Sequence, residues 1–218
     1  MKMRDALKPQ GYVELFVTRG KPKVIPGELL YEANGHKVFK SSEIDFSGTQ
    51  VLDKQEFKNV IFNQGKDRVI ESLTTGFIRV IARMAIGDRG TLPSDSTVPK
   101  TPGPERTGLY NEIYRDDVDT TTLNIGGPTN HEVKFIKIFS SLDVPITAFS
   151  NQANPVVNEA ALIMCDLLSG NPLPRPPVAY PGVSDADEIP FSMRAFKSIP
   201  FEAANEISIT IRYTIFIE

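Results

Sequence analysis

The side chains able to do chemistry are few and scattered along this chain. There is one cysteine, Cys165, and it lies in the apolar run 160–168, so a buried and unreactive thiol is expected. The two histidines, His36 and His131, lack a second His, Cys or carboxylate at the spacing that builds a zinc site. Each follows Asn or Gly residues, which predicts exposed turns. No G-x-S-x-G elbow is present, and Gly65-Lys66 lacks the upstream glycine and the following Ser or Thr of a phosphate-cradling loop. The span from Gly87 to Gly90 is too short for a dinucleotide fingerprint and precedes a proline-rich stretch where that motif needs a helix.

Two acidic groups remain. Asp116, Asp117 and Asp119 could supply calcium oxygens, but an EF-hand's glycine and terminal glutamate are missing. Asp185, Asp187 and Glu188 close a proline-rich stretch. Solvated loops are expected for both, with no metal, no cofactor and no catalytic residue. The stretch Pro172, Leu173, Pro174, Arg175, Pro176, Pro177 resembles a polyproline ligand, although an extended arm packed on its own or a neighbouring subunit accounts for it more simply.

Composition narrows the classes further. The 218 residues are 40% hydrophobic, enough for one sizeable core, and the net charge of -3 comes without a basic face for a nucleic-acid backbone. The first ten residues contain basic side chains but no apolar signal region, and no apolar run reaches the roughly 20 residues of a membrane helix. A soluble chain made in a cytoplasm is expected, with no nucleic acid, membrane or small-molecule substrate as partner.

The elements are mainly strands. Ile207, Ile209, Ile211, Tyr213, Ile215 and Ile217 alternate with Ser208, Thr210, Arg212, Thr214 and Phe216, the period-two pattern of a strand crossing a sheet centre. Val13, Leu15 and Val17 repeat it near the start. Residues 133–139, 160–166 and 191–199 read as further strands, as does 77–86, leading into a turn at Gly87 to Gly90. One short helix is predicted over 66–73, with Val69, Ile70 and Leu73 on one face. Residues 91–108 and 170–190 are rich in proline, which fixes φ and removes a backbone donor, so extended arms without regular structure are expected. At least one should lie on a neighbouring subunit, through Pro99, Pro102 and Pro104 or through Pro172, Pro174, Arg175, Pro176, Pro177 and Tyr180. The fold class that results is mainly β: an antiparallel β-sandwich-like domain over 57–218 with one short helix and long proline-rich loops, preceded by an arm and β-hairpin extension over 1–56.

One ordered series of motifs adds to this reading. Asn59 and Gly65 precede the helix, Ile78 lies in the following strand, and that strand ends in Met84-Ala85-Ile86-Gly87. Leu109, Asn111, Glu112 and Arg115 follow as L-x-N-E-x-x-R, then Val133 and Phe135, then Asn158, Glu159, Ala160 and Leu162, and finally the strand ending at Ile217. Over about 57–218 the series resembles tail-fibre N-terminal and related baseplate or collar attachment domains of tailed-bacteriophage virions. Ala161 departs from the pattern where those domains commonly have glycine, and an attachment module or collar component without the repetitive shaft of a complete fibre is expected. The resemblance implies a non-enzymatic structural subunit at the neck, collar, tail or baseplate, forming a symmetric oligomer with itself and contacting other virion proteins. It would be made in the host cytoplasm and located in the virion. A head-decoration or head-fibre protein is the nearer alternative. A carbohydrate-binding or glycan-cleaving tail protein, which needs an aromatic platform or two carboxylates on one cleft, is the more distant one. Glu112 and Arg115, three residues apart, are expected to form a structural network with Glu159, Arg115 pairing with Glu159 across the domain.

Overall fold

The computed structural model describes residues 10–33, 36–75, 79–125, 131–166 and 188–217. Its strands are β1 (Gln10–Arg19), β2 (Lys23–Pro26), β3 (Leu29–Ala33), β4 (His36–Phe39), β5 (Ser42–Asp45), β6 (Gln50–Lys58), β7 (Val60–Ile61), β8 (Arg79–Gly87) and β9 (Thr91–Leu92). They continue as β10 (Asp95–Pro99), β11 (Glu112–Asp117), β12 (Thr120–Ile125), β13 (His131–Ser140), β14 (Val156–Asp166), β15 (Glu188–Pro200) and β16 (Ile207–Ile217). The helix α1 (Asn63–Thr75) lies between β7 and β8.

The alternating C-terminal segment holds the first sheet together. β16 pairs antiparallel with β13 on one side and β1 on the other, in a seven-stranded sheet of order β3-β4-β12-β13-β16-β1-β6. Its apolar face, Ile207 to Ile215, is buried, as the alternation predicts. Ser208, Thr210 and Thr214 on the opposite face are buried as well, so this sheet is covered on both sides near its centre. Part of that second cover is Phe46, next to β5, which packs on Phe16 with ring centroids 5.3 Å apart. Arg212 reaches Glu14 directly across the β1–β16 ladder at 2.5 Å, giving the half-buried guanidinium a partner.

A second sheet has the order β11-β8-β14-β15-β7. Met84, Ile86, Ala160, Leu162, Met164 and Phe196 from it join Val13, Leu15, Val17, Ile209, Ile211 and Tyr213 from the first in one buried cluster. Removing a Leu or Ile side chain from water is worth about 1.5–3 kcal/mol, so this shared cluster is the main source of stability. A buried polar contact also crosses it. The hydroxyl of Tyr213, fully buried on β16, donates to the carbonyl of Ala160 on β14 at 2.7 Å.

Several expectations change. The proposed boundary at residue 56 falls within β6, and β1 lies between β6 and β16, so the N-terminal hairpin region is an integral part of the first sheet. The helix starts three residues earlier than expected, and Gly65 in its first turn allows the close approach to β15: a Cβ there would meet the Phe191 carbonyl at 2.8 Å. Val69 packs on the core, whereas Leu73 is exposed, so the apolar face is narrower than predicted. Residues 91–108 are not wholly irregular. β9 and β10 form a small antiparallel pair in which Pro99 stands opposite Thr91 at the strand end, where proline's extended φ suits the backbone.

Replacing Tyr213 with Phe removes the one hydroxyl contact just described and keeps the ring. Urea denaturation should show a loss of about 0.5–1.5 kcal/mol with an unchanged far-ultraviolet circular dichroism spectrum. An unchanged midpoint would contradict the role given to this bond.

Candidate functional site

The motif segments that lie far apart in sequence become neighbours in the second sheet. Gly87 on β8 stands opposite Glu112 on β11 and opposite Glu159 on β14. Glu159 has no exposure to solvent, and its carboxylate accepts backbone N–H groups from Tyr110 at 2.7 Å, Asn111 at 2.9 Å and Arg89 at 3.2 Å. Burial pushes its pKa up, while the three N–H groups pull the other way. The site leaves no room for a larger residue beside it. A Cβ on Gly87 would lie 2.3 Å from the Asn111 carbonyl, and one on Gly90 would lie 2.3 Å from that of Asn158.

Asn158 fastens the same turn from its other side. Its Oδ1 accepts the Gly90 N–H at 2.6 Å, and its Nδ2 donates to Thr91 and Ser198 at 3.1 Å each. Asp88, within the turn, accepts from Asn111 Nδ2 at 2.6 Å and from the Ser150 N–H at 2.7 Å. The ring of Tyr110 is flanked by Arg106 at 3.8 Å and Lys100 at 4.3 Å. The turn at Gly87 to Gly90 and the segment before β11 are thus locked together around two side chains of β14.

Arg115 is not the partner of Glu159. It forms a two-pronged pair with Glu112 at 2.5 and 2.8 Å, as expected, and its third contact is Glu188 at 2.5 Å. Glu188 also binds Arg83, which in turn reaches Asp117 at 2.9 Å. Arg83 is only 3% exposed and Glu188 9%, and both are held in the chain by partners on each side, Asp117 and Glu188 for Arg83 and Arg83 and Arg115 for Glu188. Glu159 needs no cation, because backbone donors already satisfy it. Cys165 lies beside this ion chain. Burial and the charge of Glu188 push its thiol up to about 12, consistent with the inert cysteine expected.

The acidic segment 116–119, partly open to solvent as expected, includes the end of β11 as well as a loop. It is the corner at which the chain passes from the second sheet into the first, and each carboxylate meets a cation there. Asp117 binds Arg83 on β8, while Asp116 and Asp119 hold Lys137 on β13 at 2.7 and 3.0 Å. Asp119 also accepts the Ile138 N–H at 2.7 Å. Burial works against the charge of Lys137, yet Asp119 and Asp116 hold its pKa above the usual lysine value. Beside this corner is a cleft of about 670 Å³ lined by Lys21, Lys23, Asp116, Asp119, Lys137 and Asp143. Lys21 and Asp143 pair across it at 2.6 Å.

Of the other expected residues, His36 begins β4 and is half-buried, its pKa lowered by burial, so it is not an exposed turn residue. His131 begins β13 and is exposed. Pro102 is buried on its own chain, Pro99 is half-buried, and the exposed Pro104 gives its carbonyl to the Asn63 N–H at the start of α1. Pro102 and the Pro104 carbonyl therefore pack on their own domain, while residues 92–98 are exposed. Pro172, Pro174, Arg175, Pro176, Pro177, Tyr180, Asp185 and Asp187 lie outside the described residues. Among the described residues no group of three or more His, Cys, Asp or Glu is placed to hold a metal ion.

Arg83 and Lys137 escaped the sequence reading, though each had a signal. Both are cations set inside apolar strand segments, and a cation in such a position requires a carboxylate from elsewhere in the fold.

Replacing Glu188 with Gln should cost about 1.5–3 kcal/mol in urea unfolding, the value of hydrogen bonds to charged groups. The larger loss from a wholly unpaired buried charge is not expected, since Glu112 and Asp117 still face the two arginines. A change below 0.5 kcal/mol would contradict the ion chain. The Cys165 thiol should resist iodoacetamide at pH 8 in the folded protein and react once guanidinium unfolds it. Equal rates in the two states would contradict its burial.

No family model matches this chain, and neither a curated protein nor a solved structure matches it.

Proposed function

We propose that this chain is a non-enzymatic structural subunit of a tailed-phage virion, placed at the neck or collar or at the tail or baseplate. In this reading it assembles into a symmetric oligomer and anchors neighbouring subunits or fibres. The observation that carries the proposal is the meeting of Gly87, Glu112 and Glu159 on three adjacent strands. These residues belong to the motif series that resembles phage attachment domains, and their convergence gives the series a physical reason. Glycine, the L-x-N-E-x-x-R segment and the Asn-Glu pair are parts of one buried lock. The sandwich-like reading of the fold belongs with this proposal and is supported by the single core cluster that both large sheets share.

The polar groups at this site favour a geometric role. Glu159 is occupied by backbone N–H groups, and Arg83, Arg115 and Lys137 by carboxylates, so these side chains fix strand positions. Pairs of this kind contribute little net stability relative to an apolar core, but they penalise other arrangements. That suits a subunit that must present constant surfaces to its neighbours.

A second reading, binding of a carbohydrate by a tail protein, is favoured by one feature. Asp116 and Asp119 share a cleft with Lys137, an arrangement able to exchange hydrogen bonds with sugar hydroxyls. Glycan cleavage is not favoured by this geometry, since both carboxylates are bonded to Lys137 where an acid and a base or nucleophile would have to face the substrate.

Imaging tests the proposal. Particles purified from a lysate in which this protein is made should bind an antibody fragment raised against it, with cryo-electron microscopy showing the label as a ring at the neck or tail. Label on the head would favour the decoration alternative. Unlabelled particles with all of the protein left in the soluble fraction would overturn the virion reading.

A further inference from the structure

We infer that successive copies of this chain join head to tail through the two free edges of the seven-stranded sheet, β3 of one copy pairing with β6 of the next. The inference rests on the oligomeric reading above and names the surface it uses. Among the described residues the sheet ends on β3 at one side and β6 at the other. An edge strand presents unpaired backbone N–H and C=O groups and can accept another strand unless side chains block it.

The two edges share an unusual feature. Leu29, Leu30 and Tyr31 on β3 are 47%, 45% and 48% exposed, and Val51 and Leu52 on β6 are 49% and 44% exposed. Each edge is also irregular at this apolar group. Leu30 has no partner between the Leu29–Phe39 and Tyr31–Val38 pairs, and Leu52 has none between Asp53–Val17 and Val51–Thr18. Bulges re-aim side chains, and here each leaves a leucine without a place in its own ladder.

The charges that ordinarily guard an edge are turned back onto the protein's own strands. Lys54 lies 3.6 Å from Glu14 and over the Phe16 ring, and Asp53 binds Lys197 at 2.8 Å. Glu28 and Glu32 reach Lys40 and Lys37 beside them at 3.6 and 3.8 Å. The apolar centres of both edges are left open.

Strand direction and charge select the pairing. β3 and β6 run in opposite directions, since every ladder between them is antiparallel except that of β4 with β12. A copy that continues the sheet therefore brings its β3 antiparallel to β6. Pairing β3 with itself about Leu30 would set Glu28 opposite Glu32, and like charges directly opposite are destabilising. β6 carries charges of both signs, Asp53 and Glu56 beside Lys54 and Lys58, and setting Leu30 opposite Leu52 in an antiparallel pair brings Glu28 opposite Lys54. Two different surfaces joined in this way give a ring if the rotation closes.

Light scattering coupled to size-exclusion chromatography of the full chain tests this with Leu30→Lys and Leu52→Lys. Both side chains are near half exposed, so the fold should survive, and circular dichroism confirms that it has. The wild type should run as a multiple of 24.1 kDa and each variant as a single chain. An equimolar mixture should form a species of twice that mass and nothing larger, because one intact β6 then meets one intact β3. If both variants keep the wild-type mass, the edge pairing is wrong while the oligomeric reading stands on another surface. A Leu30→Lys protein that forms stable pairs alone would show β6 joining β6 and overturn the head-to-tail arrangement. A wild type of single-chain mass at high concentration would overturn it as well, leaving the particle imaging as the separate test of function.

Discussion

A carboxylate buried away from water needs donors close at hand, and the way Glu159 meets that need organises the second sheet. Its partners are the N–H groups of Arg89, Tyr110 and Asn111, which come from two separate connections, the turn after β8 and the segment before β11. Those connections can reach it only because Gly87 and Gly90 have no side chain to block the approach. Asn158, the preceding residue on the same strand, ties the other end of the turn to β15 through Ser198. Two consecutive side chains thus set the positions of a turn, a connecting segment and a neighbouring strand. Few hydrophobic contacts could fix so many backbone groups at once, because apolar packing is not directional.

The ion pairs extend the same logic to the join between the sheets. Where the chain leaves β11 for β12, successive aspartates meet cations of opposite sheets, Arg83 on one and Lys137 on the other. Tyr213 crosses the core between them with its hydroxyl. The apolar cluster supplies most of the free energy and tolerates small shifts, whereas the charged and hydrogen-bonded groups penalise such shifts. That second property is the one the structural role proposed above would need.

Much of the strand content was legible in the sequence, for a physical reason. The alternation from Ile207 to Ile217 is a direct consequence of side chains pointing to opposite faces, and β1, β13, β14 and β15 show weaker forms of it. The hidden features were those made by residues distant in sequence. Arg115 has a close local partner in Glu112, which spacing revealed, but Glu188 is 73 positions away, in a run expected to be a solvated loop. Glu159 was expected to pair with Arg115, whereas its partners are backbone amides, which leave no trace in residue type. Ser208 and Thr210 are polar yet buried on β16, and what covers that face comes from elsewhere in the chain. The small hairpin of β9 and β10 was masked by its prolines, which sit at positions where no ladder donor is needed.

The central claim, that Glu159 organises this region by accepting backbone hydrogen bonds, can be tested by amide hydrogen exchange followed by nuclear magnetic resonance. The account predicts that the amides of Arg89, Tyr110 and Asn111 exchange slowly in the wild type, although they lie in connecting segments. In Glu159→Gln, which turns a donor toward at least one of them, the three should exchange faster together while amides at the centre of β16 keep their rates. Wild-type exchange of these three amides at the speed of an open loop would contradict the account.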